Sequence, residues 1–202
     1  MYLRGMTSPL RIAVVSGSTR PGRRATQVAE WTRDRAAAFL GDRAEVRVLD
    51  LADIDLPFLD EPLPAAIGGY RNDHTQRWAE LIDGFDGFVF VTPEYNHSMP
   101  AALKNAIDFL FSEWADKAAG FVSYGTNGGT RAVEHLRLTL AEVKVACVRS
   151  QVALGLFTDF VIPDLAEPGT FAPADHHEGI LTRMLGELVD WSTALRTLRV
   201  SP

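Results

Sequence analysis

Two short segments of this chain gather groups that could hold an anion and a flat aromatic ring. The first, Gly17-Ser18-Thr19-Arg20-Pro21-Gly22-Arg23-Arg24, joins two conformationally free glycines to two hydroxyls and three guanidinium groups. Ser18 can donate a hydroxyl hydrogen bond, and Arg20 with Arg23 or Arg24 can offer paired, charge-assisted ones. A helix starting just after them would add free N–H groups and the positive end of its dipole, which together favour a phosphate. The plain alternative is a solvated turn. The second segment runs from Thr92 to Pro100 as Thr-Pro-Glu-Tyr-Asn-His-Ser-Met-Pro. Two prolines stiffen it, and Tyr95, His97 and Met99 present polarisable surfaces suited to a planar ring. The same residues serve equally well as a loop that leads into a helix and packs its aromatic on its own domain.

Other chemistries are excluded by spacing. Gly17 and Gly22 are separated as in a Walker A loop, but Arg23 and Arg24 replace the Lys and the Ser/Thr whose hydroxyl would hold magnesium. In a dinucleotide loop the second glycine lets the backbone approach a pyrophosphate, and Thr19 stands at that position. Asp50 lies where a ribose-binding acid would sit, a weak signal without the glycines. His74, His135, His176 and His177 show no HExxH-type spacing and read as solvated side chains rather than metal ligands. Cys147 is the single cysteine, which rules out an intramolecular disulfide or a thiolate cluster; its apolar surroundings read as a buried structural thiol. A formal charge of -6 without a long basic block argues against a nucleic-acid partner.

The elements that must position these segments alternate in period. Apolar runs at 12–16, 46–49, 87–92, 121–124 and 145–154 read as strands, and the nearly unbroken run at 87–92 suits a central strand buried on both faces. Between them, spacings of three and four mark helices. The first carries Ala25, Val28, Ala29, Thr32, Ala36, Phe39 and Leu40, and others carry Trp78, Leu81, Ile82 and Phe85, then Leu103, Ala106, Ile107, Leu110 and Phe111. Val133, Leu136 and Leu140 mark a fourth, and Leu181 to Leu195 the last. Ser98 is placed to cap the third helix, with Pro100 in its first turn. Trp31, Trp78 and Trp191 fit helix faces as packing residues, whereas Trp114 and Phe157-Thr158-Asp159-Phe160 follow elements whose ends could approach a ligand or a subunit interface. The proline-containing stretch 53–69 reads as a long loop. Five strands alternating with five helices predict a doubly wound parallel α/β sheet with helices on both faces. One domain over residues 10–200 accounts for the chain, with residues 1–9 as an N-terminal extension. No apolar run is long enough to span a membrane and no secretory signal opens the chain, so a cytoplasmic location is expected.

Taken together, the segments carry a resemblance. Pro93-Glu94-Tyr95-Asn96-His97-Ser98, Pro100 and Leu103-Lys104-Asn105-Ala106-Ile107-Asp108 resemble the signature of the NADPH-dependent FMN reductase family. Gly17-Ser18-Thr19-Arg20 resembles its flavin-phosphate loop, and Ser123-Tyr124-Gly125 with Gly128-Gly129 its third flavin-contacting loop, in family order over roughly residues 10 to 155. The resemblance implies a flavodoxin-like domain that binds FMN and takes NADPH or NADH as co-substrate. Ser18, Arg20 and either Arg23 or Arg24 would hold the phosphate; Pro93, Glu94, Tyr95 and Asn96 would contact the isoalloxazine ring, with Tyr124 and Gly125 along its other edge. Many family members have Ser or Asn where this chain has Arg23. The implied reaction is ping-pong transfer from NAD(P)H to a small acceptor such as a quinone, azo compound, metal oxyanion or free flavin. The flavin would supply the redox centre, and no catalytic side chain is required. Lys104, Asn105 and Asp108 are expected to fasten the 93–100 loop to its helix. A homodimer or homotetramer is also implied, with no membrane or nucleic-acid partner. The alternative is a flavodoxin-like FMN electron carrier that does not react with NAD(P)H.

Overall fold

Runs of Val, Ile and Phe form five parallel strands, β1 (Leu10–Ser16), β2 (Ala44–Asp50), β3 (Gly87–Pro93), β4 (Lys117–Gly125) and β5 (Val145–Gly155). Their order across the sheet is β2-β1-β3-β4-β5, the flavodoxin-like winding. The computed structural model describes residues 8–199, so the expected extension at 1–9 lies almost entirely outside the described residues. Among the described residues six α-helices connect and cover the strands: α1 (Ala25–Leu40), α2 (Leu51–Ile54), α3 (Asp73–Asp83), α4 (Ala101–Asp108), α5 (Thr130–Glu142) and α6 (His176–Arg199). Five of them match the amphipathic runs. The additional one, α2, is a single turn whose start is capped by the Asp50 carboxylate accepting the Ala52 N–H at 3.0 Å. A two-stranded ribbon, β6 (Phe160–Val161) and β7 (Thr170–Phe171), interrupts the passage from β5 to α6.

Period-two alternation divides each central strand between two cores. Ile12, Val14, Val89, Val91 and Val122 face α1 and α6, where they meet Val28, Leu181, Leu185 and Leu188. Ala13, Val15, Phe88, Phe90 and Phe121 face α3, α4 and α5. All seven residues of β3 are buried, as a strand at the middle of a covered parallel sheet must be. The second core is aromatic: Trp114 meets the Phe88 ring at 5.0 Å between centroids and Trp78 at 6.2 Å. Their indole N–H groups donate to the carbonyls of Ile107 and Ala106, so neither buried donor is left unsatisfied. Trp114 is therefore a core residue, fully buried among these rings. Corrections of the opposite sign fall on Phe39 and Trp191, which lie on helix surfaces at 38% and 47% exposure; the Arg43 guanidinium covers the Phe39 ring instead. Trp31 packs edge-on against Phe171, and Cys147 is half-buried, with burial raising its thiol to about 11.

Ser98 does not cap α4. Pro100 occupies the N-cap position, and the Ser98 hydroxyl pairs with His135 Nδ1 at 2.9 Å. The stretch 53–69 is long but tethered. The Asn105 amide takes the Leu59 N–H at 3.0 Å and donates to the Pro57 carbonyl at 2.7 Å, while Glu61 accepts the N–H groups of Arg71 and Asn72.

At the opposite edge of the sheet Lys117 is fully buried. Its Nζ donates to the carbonyls of Ile82 and Asp83, the open end of α3, at 2.8 and 3.1 Å. A neutral amine has the two N–H groups these carbonyls need, and burial lowers the ammonium to about 8 from the ordinary lysine value of 10.5. Between these values the unfolded chain binds more protons at this lysine than the folded chain does, so its contribution to stability rises with pH. Urea unfolding of the wild type and Lys117→Met should therefore show the wild type gaining on the variant from about pH 8 to about pH 10; a constant difference would contradict the burial argument.

Candidate active site

The strand order reverses between β1 and β3, so the loops after these strands leave the carboxyl edge of the sheet with a crevice between them. Gly17 makes the crevice narrow. Its N–H donates to the Val91 carbonyl at 2.9 Å, and a Cβ at this position would stand 2.9 Å from Leu103 Cδ2 and 3.1 Å from that same carbonyl. The backbone thus passes over β3 in contact, and Ser18 follows fully buried. Its Oγ meets the Tyr95 hydroxyl at 2.8 Å, which joins the first predicted segment to the second.

The second segment leaves β3 and turns back on itself. Tyr95 and Ser98 exchange two backbone hydrogen bonds, 2.9 and 3.1 Å, around Asn96 and His97, both in the left-handed region at φ 48° and 75°. This is the two-residue hairpin turn that twists in the same sense as its strands, a geometry that favours Asn followed by Gly. Asn96 suits it; His97 holds a strained backbone there. The Glu94 side chain is engaged by Arg131. Its carboxylate accepts the Arg131 N–H at 3.2 Å and pairs with the Arg131 guanidinium, which clamps the loop to the start of α5. Burial opposes ionisation of Glu94, but the Arg131 contacts outweigh it and hold the carboxyl below the usual range.

The third segment requires glycine for room. Gly129 starts α5 at φ 68°, and a Cβ there would stand 2.8 Å from the Tyr124 carbonyl and 2.9 Å from Ser123 Cβ. Tyr124 is buried and its ring meets Phe160; burial pushes its hydroxyl far above the ordinary phenol value, so it stays protonated.

These loops enclose a cleft of about 170 Å³ lined by Arg20, Gly22, Arg23, Arg24, Pro93, Glu94, Tyr95, Tyr124, Gly125, Thr126 and Leu156. Eight of the ten predicted site residues are therefore brought together. Ser18 lies beneath, reaching Tyr95, and Asn96 is exposed at the hairpin tip. Gly22 comes with the first segment, whereas Thr126 and Leu156 are additions that the motifs do not announce. Leu156 arrives from β5, its N–H on the Gly125 carbonyl at 3.0 Å, a pairing between distant segments that no local motif signals. The cleft is positive at one end. Arg23 gives one Nη2 to Asp50 Oδ2 at 2.7 Å and Arg24 gives one to the Glu167 carbonyl at 2.8 Å, while both Nε atoms are buried without a partner. Unsatisfied buried donors beside a cleft fit an anionic ligand that would complete them.

A larger crevice of about 580 Å³ lies across the first loop, between α2 and α4, lined by Leu51, Leu56, Phe58, Ala101 and Asn105 among others. It contains none of the arginines, and its one ionisable group, Asp55, would repel a phosphate. Lys104 and Asp108 form an i,i+4 ion pair at 2.7 Å, and Asn105 holds the 57–59 stretch; fastening of the 93–100 loop falls to Arg131 and His135. The histidines differ from one another. His74 pairs with Asp60 and His176 is exposed, but His177 is buried against Asp159 at 3.0 Å and is not a solvated side chain. Among the described residues no group of three or more His, Cys, Asp or Glu is placed to hold a metal, and no helix is long and apolar enough to cross a membrane.

A doubly wound sheet with an arginine-lined cleft at its switch point, one wall stiffened by prolines and the other opened by glycines, defines a flavodoxin-like protein built for a phosphate-bearing planar ligand. The NADPH-dependent FMN reductase family profile matches residues 10–159, and the chain belongs to that family. An NAD(P)H-dependent FMN reductase of Schizosaccharomyces pombe is 36% identical over 182 residues, 88% of each chain. The quinone reductase of Escherichia coli strain K12 is 31% identical over 206 residues, covering 96% of this chain and all of its own. Among solved structures, the flavoenzyme NAD(P)H:(acceptor) oxidoreductase FerB of Paracoccus denitrificans superposes with a TM-score of 0.63 at 20% identity, covering 92% of this chain and 98% of its own. The protein is accordingly an NAD(P)H-dependent oxidoreductase with FMN as its cofactor.

Proposed function

We propose that the 170 Å³ cleft holds FMN with its phosphate on Ser18, Arg20 and Arg24, and that NAD(P)H and a small acceptor, of which a quinone is the best candidate, use one open face in turn. The observation that carries this reading is the pair of buried, unpartnered arginine Nε atoms at one end of a cleft whose other end is walled by Tyr95, Tyr124 and backbone. Arg23 is half-committed to Asp50, and the charge of that carboxylate opposes a second anion nearby, which favours Arg24 as the phosphate ligand. Sites for ligands of this size enclose roughly 300–1,000 Å³. A cleft of 170 Å³ covers only part of a flavin, which supports an exposed reacting face.

When bound, FMN supplies the redox chemistry, accepting a hydride from NAD(P)H and returning two electrons to the acceptor. The residues contribute position. Ser18 and the arginines anchor the charged tail, Tyr95 links the anchor to the ring wall, and the Glu94–Arg131 clamp keeps that wall against α5. In this reading the flavin carries the redox step and no side chain is asked to act as an acid or nucleophile; Tyr124 stays protonated and Glu94 stays a carboxylate paired with Arg131. A relative that is itself a quinone reductase, 31% identical over its whole length, supports the choice of acceptor.

The 57–67 stretch displays Phe58 and Ile67 at 85% and 68% exposure although its backbone is tethered, and this supports a homodimer or homotetramer. Light scattering after size exclusion should return at least twice the 22.2 kDa chain mass; a monomer at micromolar concentration would rule the assembly out.

Anaerobic addition of NADPH or NADH to the FMN-loaded protein should bleach the flavin absorbance, and a quinone should then restore it. Colour that survives both nucleotides would make the protein an electron carrier instead. Arg24→Ala should weaken FMN binding by about tenfold or more, the loss of a charge-assisted contact, and more than Arg23→Ala does. Equal losses in fluorescence titrations of the two variants would remove the preference for Arg24.

A further inference from the structure

The segment between β5 and α6, residues 156–175, belongs to none of the three loops that carry the family resemblance, yet it is built onto the first of them. Its closure depends on one carboxylate. Asp159, 2% exposed, accepts the Gly155 N–H at 2.7 Å and the Thr158 hydroxyl at 2.9 Å from the start of the segment. From its end, the same carboxylate accepts the Ala174 N–H at 3.0 Å and His177 Nε2 at 3.0 Å. Four donors from both ends on one buried carboxylate draw residues 155 and 177 together and force the chain between them into a projecting loop, within which β6 and β7 pair.

The tip of that loop reaches the phosphate segment. The Glu167 carbonyl accepts Arg24 Nη2 at 2.8 Å. Gln27, in the first turn of α1, grips the loop with both ends of its amide, donating to the Gly169 carbonyl at 3.0 Å and accepting the Phe171 N–H at 2.9 Å. The Ala166 carbonyl closes over Gly22, 3.3 Å from where a Cβ would be. Arg24 is thus held by one nitrogen from behind, with its Nε buried and unspent beside the cleft. A long, flexible cation is fixed in place before any ligand arrives, which is the arrangement that lowers the ordering cost of binding.

We infer that Asp159 is a positioning residue for the flavin phosphate, acting through the 156–175 loop to set the Arg24 guanidinium and the turn at Gly22. Asp159 does not touch the ligand. This rests on the reading of the first loop as the phosphate site.

Riboflavin, which has the ring but lacks the phosphate, separates this role from a general structural one. Fluorescence titrations with FMN and with riboflavin would be run on the wild type, Asp159→Asn and Gln27→Ala. The amide introduced by Asp159→Asn turns one acceptor into a donor that opposes the N–H groups around it, and so loosens the closure with almost no change in volume. The expected result is an FMN Kd raised about tenfold in Asp159→Asn and about threefold in Gln27→Ala, with the riboflavin Kd within about twofold of wild type in both. Gln27→Ala leaves the Asp159 closure intact, and decides the matter alone if Asp159→Asn does not fold. The inference is overturned if Gln27→Ala keeps the wild-type ratio of the two affinities, or if the variants lose both flavins to the same degree. Equal affinity of the wild type for FMN and riboflavin would instead overturn the phosphate reading itself.

Discussion

The contact of the Gly17 backbone with β3 is the constraint on which the rest of the site depends. With no Cβ to hold it away from Leu103, the chain leaving β1 donates its first N–H to the Val91 carbonyl of the neighbouring strand. That crossing fixes where Ser18 is buried, and the Ser18 hydroxyl in turn fixes Tyr95. Parallel pairing carries the same alignment onward, since Pro93 lies opposite Tyr124 and Gly125 opposite Gly155 in register. The loops that line the cleft therefore open on one edge of one sheet, and a slip of one residue at β1 would disperse them.

Charge is distributed against the overall balance. The chain carries a formal -6, yet three arginines line one cleft, and Arg23 and Arg24 are held there by fixed partners of their own. Asp50 has two duties there, capping α2 and holding Arg23. The other end is organised differently: burial keeps Tyr124 protonated and Arg131 balances the charge of Glu94, beside backbone, proline and aromatic surface. A protein whose cofactor performs the redox step needs this kind of division, with a charged anchor at one end and an inert wall at the other.

Some side-chain roles escape a reading of the sequence because their partners lie far off along the chain. Ser98 has the residue type and position of a helix cap, but His135 on α5 offers its hydroxyl a partner and Pro100 already sets the backbone for α4. Asn105 sits in the family signature beside the 93–100 loop and instead binds residues nearly fifty positions earlier. His177 looks like half of a solvated pair until Asp159 folds onto it, and Trp114 looks like a rim residue until Phe88 and Trp78 close around it. Trp191 and Phe39 err in the other direction, since helical spacing marks a stripe but not how far the neighbouring layer extends.

The alternation of strand and helix, the doubly wound parallel sheet it implies, and the first two loops with their arginines and prolines were legible in the sequence, because each rests on short-range physics: side-chain period, backbone freedom and local charge. The flavodoxin-like order and the third loop came from the family resemblance. The cleft itself was not legible. Which arginine donors stay free, that Glu94 faces α5, that Leu156 completes the wall and that Asp159 closes a distant loop that reaches Arg24 were decided by tertiary structure. Each depends on a partner brought close by parallel crossovers, and a hydrogen bond's donor and acceptor carry no mark in sequence of the residue they will meet.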